Sequence, residues 1–180
     1  KQEQALAELQ SALNLPAPPN RIECYDVSHT QGVATVGAMI VFEQGVPAKS
    51  QYRKFNIDST SIGAPDDFAS MEEMLTRRFR RWHAASPGSK VDASFSRLPD
   101  LIIIDGGKGQ LGRVVKVLEA AGLAEKVPVV GLAKQREELL KGIRAKTERR
   151  AVLGRELGMT TFSTGADMNA WDKLLLEART

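Results

Sequence analysis

The stretch LIIIDGGKGQL, residues 101–111, places an aspartate directly after an uninterrupted aliphatic run. Such a run is typical of a buried strand, and the glycines and polar residues after it indicate a turn into a helix. A helical pattern over 110–121, a stop at Gly122 and a strand-like stretch over 127–133 follow, with a further helix from about Gln135. The sequence therefore predicts a parallel β-α-β unit that continues into another helix.

Three strand-like stretches come earlier, at residues 21–26, 33–42 and 48–55. The short turns between them predict an antiparallel three-strand meander. A helix then opens at Asp66 and Asp67, because aspartates favour a helix N-terminus. A meander, a helix and a parallel β-α-β unit in this order predict an α/β fold with a ribonuclease H-like mixed sheet and flanking helices.

Three segments are predicted along the chain. Residues 1–20 are a lead-in helix and a proline-rich linker, and residues 21–150 are the ribonuclease H-like domain. Residues 151–180 are a C-terminal segment that is helical in part, with a short helix around 171–178.

Composition excludes several classes of protein. The 180 residues carry 25 lysines and arginines against 22 acidic residues, and a net charge of +3 is too small to diagnose a partner. The single cysteine, Cys24, excludes an internal disulfide and a cysteine-rich zinc site, and it is predicted to be a small core residue. The apolar runs are far shorter than the roughly 20 residues of a membrane helix, and residues 1–4 do not resemble a signal peptide. We therefore expect a cytoplasmic protein that makes no contact with a membrane.

Asp26 and Asp105 each end an apolar run that is predicted to be a strand. A carboxylate at the edge of a core is usually held by a cation, a basic partner or a set of hydrogen-bond donors. Two carboxylates on neighbouring strands suit a divalent metal, which phosphodiester hydrolysis requires. Asp67, in the first turn of its helix, is the candidate third acidic residue.

Each of these aspartates also has a purely structural explanation. Asp67 could serve only as a favourable charge at a helix N-terminus. Asp105 precedes two glycines and could form a tight turn, and Asp26 could form a strand-end turn with Ser28 and Thr30. The conjunction of the three favours a metal site.

Residues 107–112, GKGQLG, match the G-x-G-x-x-G pattern of dinucleotide-binding proteins. That fold needs an acidic residue at the end of the next strand to hold the ribose, and here the strand ends in Ala133 and Lys134. Asp105 would also repel a pyrophosphate. A dinucleotide-binding domain is therefore the weaker alternative, while Lys108 could contact a nucleic-acid phosphate.

Four arginines occur on little more than one turn of the predicted helix that opens at Asp67: Arg77, Arg78, Arg80 and Arg81. Phe68 and Phe79 belong to the apolar face of the same helix. Beside an acidic metal site, the arginines are predicted to contact a DNA backbone; alone they could be an ordinary solvated helix face.

Three separated motifs carry a family resemblance: RIECYDVSHTQG at 21–32, PDDFASM at 65–71 with TRRF following, and LPDLIIIDGGKGQL at 98–111. The chain closely resembles the C-terminal endonuclease domain of UvrC, a component of the bacterial UvrABC excinuclease. The resemblance runs from the lead-in helix to about Glu138. It implies a ribonuclease H-like fold and metal-dependent incision on the 5′ side of a lesion in nucleotide excision repair.

The resemblance also implies a site. The catalytic acidic positions of the family fall on Asp26, Asp67 and Asp105. On the chemistry described above, Asp26 and Asp105 would bind Mg²⁺ or Mn²⁺, and Lys108 with the four arginines would hold damaged double-stranded DNA. The UvrB–DNA pre-incision complex would be the partner, contacted through parts of the family that lie outside this chain.

One family feature has no counterpart. The family completes its site with a histidine on a later helix, in a motif of the type R-D-E-A-H-R-F, and nothing after Arg136 matches it. The two histidines of the chain are His29 and His83. The sequence therefore leaves open a second hypothesis, a catalytically depleted ribonuclease H-like module that binds DNA without cutting it.

Overall fold

The computed structural model describes residues 1–30, 34–58, 67–106 and 108–132 of the chain. The helices in this part are α1 (Gln2–Leu13), α2 (Asp67–Ala84) and α3 (Lys108–Ala120), with a short 3₁₀ helix at Lys49–Gln51. The strands are β1 (Arg21–Thr30), β2 (Ala34–Glu43), β3 (Val46–Pro47), β4 (Arg53–Ile57), β5 (Leu101–Asp105) and β6 (Val129–Leu132).

All six strands belong to one mixed sheet. Its order is β3-β2-β1-β5-β6, and β4 pairs with β2 on the same side as β3. The β1–β2 and β2–β4 pairs are antiparallel, whereas β1–β5 and β5–β6 are parallel. The predicted α/β fold, an antiparallel meander joined to a parallel β-α-β unit, is confirmed.

Two strand predictions were wrong in detail. The first strand continues four residues past Asp26, because β2 pairs with β1 along its whole length, from Arg21–Glu43 to Thr30–Ala34. The third strand, predicted over 48–55, begins instead with the 3₁₀ helix at Lys49–Gln51, and only its end belongs to β4. The short strand β3 lies before it, in the predicted turn. Pro47 has no N–H to donate, so a proline at the end of β3 favours a break between the two strands.

The sheet is covered on both faces. Helices α2 and α3 pack on the face that carries Tyr25, Ile102 and Ile104. Helix α1 packs on the other face through buried leucines at helical spacing, Leu6, Leu9 and Leu13. The lead-in helix is therefore part of the core, and each fully buried leucine contributes roughly 1.5 to 3 kcal/mol of apolar burial.

The helices predicted from about Gln135 and over 171–178 lie outside the described residues. Within the described part, no helix combines the length and the apolar character that crossing a bilayer requires.

Candidate active site

The first two predicted acidic residues are brought to neighbouring positions. The parallel pairing of β1 with β5 ends at Tyr25 and Ile104. Asp26 and Asp105 are the next residue on each strand. Since neighbouring strands lie about 4.8 Å apart, this register places the two aspartates side by side.

Both aspartates also share one face of the sheet. Successive side chains along a strand point to opposite faces of the sheet, so residues two apart share a face. Asp26 is therefore on the same face as Cys24, and Asp105 is on the same face as Ile103. Cys24 and Ile103 both pack on the α1 side. The Asp26 side chain is exposed and Asp105 is half-buried. The pair is therefore open to solvent at the end of the parallel strands.

Asp67 is placed at the same end of the sheet by another element. It is the first residue of α2 and is exposed. The next residue, Phe68, packs against Gly109 in the first turn of α3, and α3 begins three residues after Asp105. Asp67 thus lies at this end of the sheet, on its α2–α3 side.

The donor set at this edge fits a hard divalent cation. Carboxylate oxygens on adjacent strands are ligands that Mg²⁺ and Mn²⁺ prefer, and partial exposure leaves room for coordinated waters. Among residues 1–30, 34–58, 67–106 and 108–132, no group of three or more His, Cys, Asp or Glu side chains is arranged to hold a metal ion. The geometry therefore brings together the Asp26–Asp105 pair, without closing a three-carboxylate centre around Asp67.

The prediction that Arg78 contacts DNA was wrong. Its side chain is fully buried, and its guanidinium donates from Nε to Glu23 Oε1 and from Nη2 to Glu23 Oε2, both at 2.9 Å. Nη1 donates to the carbonyl oxygen of Phe95 at 2.9 Å, and Nη2 also donates to the carbonyl oxygen of Arg97. A guanidinium enclosed by these partners cannot reach a phosphate.

Glu23 is the centre of this buried network, and it is fully enclosed. Besides Arg78, it accepts hydrogen bonds from Arg21 Nε at 2.9 Å and from the Tyr25 hydroxyl at 2.5 Å. Burial lowers the pKa of Arg78, but the hydrogen bonds and charge of its partners outweigh burial and hold that pKa above its usual value. Burial and the Glu23 charge raise the pKa of Tyr25.

The other three arginines of α2 lie at the surface to different degrees. Arg80 and Arg81 are exposed, with the Arg81 guanidinium carbon 4.8 Å from the centroid of the Phe95 ring. Arg77 is partly engaged, since its Nη1 donates to the carbonyl oxygen of Asn56 at 2.5 Å. Lys108 begins α3, three residues after Asp105.

The glycine pattern at 107–112 does not belong to a dinucleotide-binding site. A doubly wound parallel sheet is required for that site, whereas here β1 lies between an antiparallel and a parallel neighbour. A Cβ on Gly109 would lie 2.3 Å from Phe68 Cζ, while a Cβ on Gly112 would meet nothing within 4 Å. The Phe68 ring therefore occupies the space that a side chain at position 109 would need.

Two features of this region were missed in the sequence. Phe68 was assigned to the apolar face of α2, yet it is 41% exposed at the edge of the candidate site. Its contact with Gly109 could not be inferred from spacing, because 41 positions separate the two residues. The glycine itself was the available signal, since a glycine within a helix often marks a close approach.

An α/β sheet of this order, with paired carboxylates where its parallel strands end, defines a ribonuclease H-like domain of the nuclease type. The family model for the UvrC RNAse H endonuclease domain matches residues 10–165. The chain belongs to this family, and the predicted resemblance is confirmed.

Curated relatives of the chain carry the name of the same family. The UvrABC system protein C of Dehalococcoides mccartyi (strain CBDB1) is 50% identical over 135 residues, 75% of this chain and 21% of that protein. The proteins of the same name from Carboxydothermus hydrogenoformans and Gloeobacter violaceus are both 47% identical, over 76% and 77% of this chain and 22% and 21% of their own lengths. The chain thus spans about a fifth of the length of these relatives.

Two solved structures that match the chain share little sequence with it. Ciona intestinalis Endonuclease V in complex with inosine-containing DNA is 12% identical with a TM-score of 0.42, over 82% of this chain and 66% of that one. The Mos1 transposase catalytic domain is 15% identical with a TM-score of 0.38, over 99% and 81%.

Proposed function

We propose that this chain is a metal-dependent DNA endonuclease domain that makes the 5′-side incision in bacterial nucleotide excision repair. The observation that carries the proposal is the register of β1 and β5, which sets Asp26 beside Asp105 in a member of the UvrC endonuclease family. Full-length relatives named UvrABC system protein C support the assignment to excision repair.

Asp26 and Asp105 are the residues that would hold Mg²⁺ or Mn²⁺. A divalent ion at such a site supplies Lewis acidity to a phosphodiester and lowers the pKa of water. The two carboxylates also place negative charge where an unneutralised phosphate would be repelled, so DNA binding at this edge is expected to depend on the ion.

Asp67 would orient water or a second ion from the α2 side. Its place in the first turn of α2 suits a carboxylate, because the positive end of the helix dipole favours a negative charge. The Asp67 carboxylate could accept a proton from an attacking water as the water oxygen bonds to phosphorus. The bond from phosphorus to the 3′ oxygen then breaks, and the 3′ oxygen takes up a proton from solvent.

The DNA backbone would be held by Lys108 near the acidic pair and by Arg77, Arg80 and Arg81 further along α2. At 1.5 Å per residue, these arginines lie about 15 to 21 Å from Asp67 along the helix axis. At 3.4 Å per base pair, that distance spans about four to six steps of a duplex. Contacts of this kind carry little sequence preference, as a repair enzyme requires.

Damaged double-stranded DNA is the proposed substrate, and a UvrB–DNA pre-incision complex is the proposed partner. Lesion choice would then lie with the rest of the assembly, since the residues proposed above would contact only the DNA backbone and the metal. The proposed location is the cytoplasm.

Nicking of supercoiled DNA in Mn²⁺ tests the proposal, with a chelator control. Asp26→Asn and Asp105→Asn should each abolish nicking, because either change removes a ligand charge. Asp100→Asn is the matched control: Asp100 precedes the opposite end of β5, where its carboxylate accepts a hydrogen bond from the Arg21 N–H at 2.8 Å. That variant should keep parental activity.

The same samples decide between the enzyme and the catalytically depleted binding module. Nicking that disappears in both active-site variants and survives in the control supports the enzyme. Binding of DNA and Mn²⁺ without any nicking supports the module, which lacks the family's late histidine. A chain that binds no Mn²⁺ would refute the metal site itself.

A further inference from the structure

The first turns of α2 and α3 meet through an aromatic ring seated on a glycine. A Cβ built on Gly109 would lie 2.3 Å from Phe68 Cζ and 2.7 and 2.9 Å from the two Cε atoms. Real Cβ atoms do not approach carbon this closely, so the ring tip and any side chain at position 109 exclude each other. The ring therefore rests on the α3 backbone.

A second contact joins the same helices one turn further on. Glu72 and Arg113 follow Phe68 and Gly109 by four residues each, and Arg113 Nη1 lies 2.6 Å from Glu72 Oε2. Residues four apart lie on one helix face, so the two contacts are successive cross-links between α2 and α3. The ion pair is about 40% exposed on both sides, so its contribution to stability is small.

The Phe68–Gly109 contact lies close in sequence to two of the candidate catalytic aspartates. Phe68 directly follows Asp67, and Gly109 is four residues after Asp105. The contact therefore joins the start of α2, next to Asp67, to the first turn of α3 at Gly109, four residues after Asp105.

We propose that Phe68 is a positioning residue that fixes Asp67 relative to Asp105, and that position 109 is glycine because the ring needs its space. This inference rests on the proposed role of Asp67 in DNA cleavage. Displacements near 1 Å can cost about 100-fold in rate, so a ring that is pushed off Gly109 should impair catalysis without unfolding the domain.

Substitutions of Phe68 distinguish this positioning role from a role in which the ring stacks on DNA bases. Phe68→Tyr adds an oxygen at Cζ, the ring atom nearest to Gly109, and should impair catalysis as Phe68→Ala does. A ring that stacks on bases would tolerate tyrosine, because stacking needs only the aromatic face. Phe68→Leu, which keeps apolar volume and shortens the side chain, should retain intermediate activity.

The experiment uses the 180-residue chain with Gly109→Ala and, as matched control, Gly112→Ala, where the new Cβ meets nothing within 4 Å. Each variant is measured in three ways: kcat and KM for nicking in Mn²⁺, the binding isotherm for Mn²⁺ by EPR without DNA, and Tm. Asp67→Asn is the reference for loss of the positioned carboxylate.

Gly109→Ala and Phe68→Tyr should lower kcat by about 100-fold with KM for DNA unchanged, and should alter Mn²⁺ binding in the same direction as Asp67→Asn. Their Tm should stay close to that of Gly112→Ala. The double variant Gly109→Ala with Phe68→Ala should be no worse than Phe68→Ala alone, because the clash has been removed.

Three results would overturn the proposal. The first is a Gly109→Ala variant that matches Gly112→Ala in both kcat and Mn²⁺ binding while Asp67→Asn is impaired. The second is a Phe68→Tyr variant with parental kcat, which would assign the ring to DNA bases. If Asp67→Asn itself changes neither nicking nor Mn²⁺ binding, the role of Asp67 fails and the positioning role falls with it.

Discussion

Replacing Arg78 with methionine should destabilise the fold much more than the same change at Arg80, two residues along the same helix. Both changes remove a guanidinium and keep a long apolar side chain, so packing of the stem is largely preserved. The two sites differ in burial: Arg78 is fully enclosed by its partners, whereas Arg80 is exposed.

The loss of stability expected for Arg78→Met can be estimated from the hydrogen-bond partners that Glu23 and Phe95 would keep. Without Arg78, the enclosed Glu23 carboxylate keeps only the donors of Arg21 and Tyr25, and the carbonyl oxygen of Phe95 loses its 2.9 Å hydrogen bond. Removing one partner of a buried ion pair costs about 3 to 5 kcal/mol. For a domain of this size that loss corresponds to a Tm lowered by about 6 to 20 °C. Arg80→Met should stay within about 0.5 kcal/mol of the parent.

Calorimetry and DNA binding together provide the assay. Arg78→Met should melt far below the parent yet, at a temperature where it is folded, show the parental salt dependence of DNA binding. Arg80→Met should melt normally and reduce the slope of log K against log salt by about 1. If Arg78→Met melts within about 2 °C of Arg80→Met, the buried network does not carry the stability assigned to it.

Three further predictions concern the reactivity of Cys24 and the contributions of Asp92 and Gly37 to stability. Burial raises the pKa of Cys24, so its thiol should react with a thiol reagent only after denaturant unfolds the chain, as absorbance would show. The hydrogen bonds from Arg53 lower the pKa of Asp92 from 3.8, so this carboxylate stabilises the fold above that value and the contribution is lost as pH falls below it. Asp92→Asn should therefore lower the free energy of unfolding in urea at pH 7, and the difference from the parent should shrink as pH falls below 3.8. Gly37→Ala should cost about 1 to 3 kcal/mol in urea, since the new Cβ would lie 2.4 Å from Met74 Sδ, and a double variant with Met74→Ala should cost less than the sum of the two changes.

The parts of the fold that could be predicted are those in which local pattern and tertiary context agree. The aliphatic run before Asp105 is β5, and the run before Asp26 is the first half of β1. Because the two strands are parallel neighbours, the aspartates that follow these runs lie side by side. The prediction of an acidic pair depended on the strand order of a ribonuclease H-like sheet, in which the first strand and the strand of the β-α-β unit are neighbours.

The parts that could not be predicted depend on long-range partners. Arg78 lies three residues after Leu75 and four after Met74, a spacing that suits the core face, yet it was predicted to contact DNA with the other arginines of α2. Its partner Glu23 is 55 positions away, and a buried arginine is improbable until that carboxylate is known. The break between β3 and β4 likewise depends on how both short strands share β2 as a partner.

Helix α1 has a consequence for handling the protein. Its leucines cover a strip of aliphatic side chains on the sheet that includes Ile22, Leu101, Ile103 and Val130. A shortened chain without this helix would present that strip to water as one contiguous apolar patch, and such patches drive self-association. Boundaries for recombinant expression therefore belong ahead of Gln2, and loss of the helix should appear first as poor solubility rather than as altered chemistry.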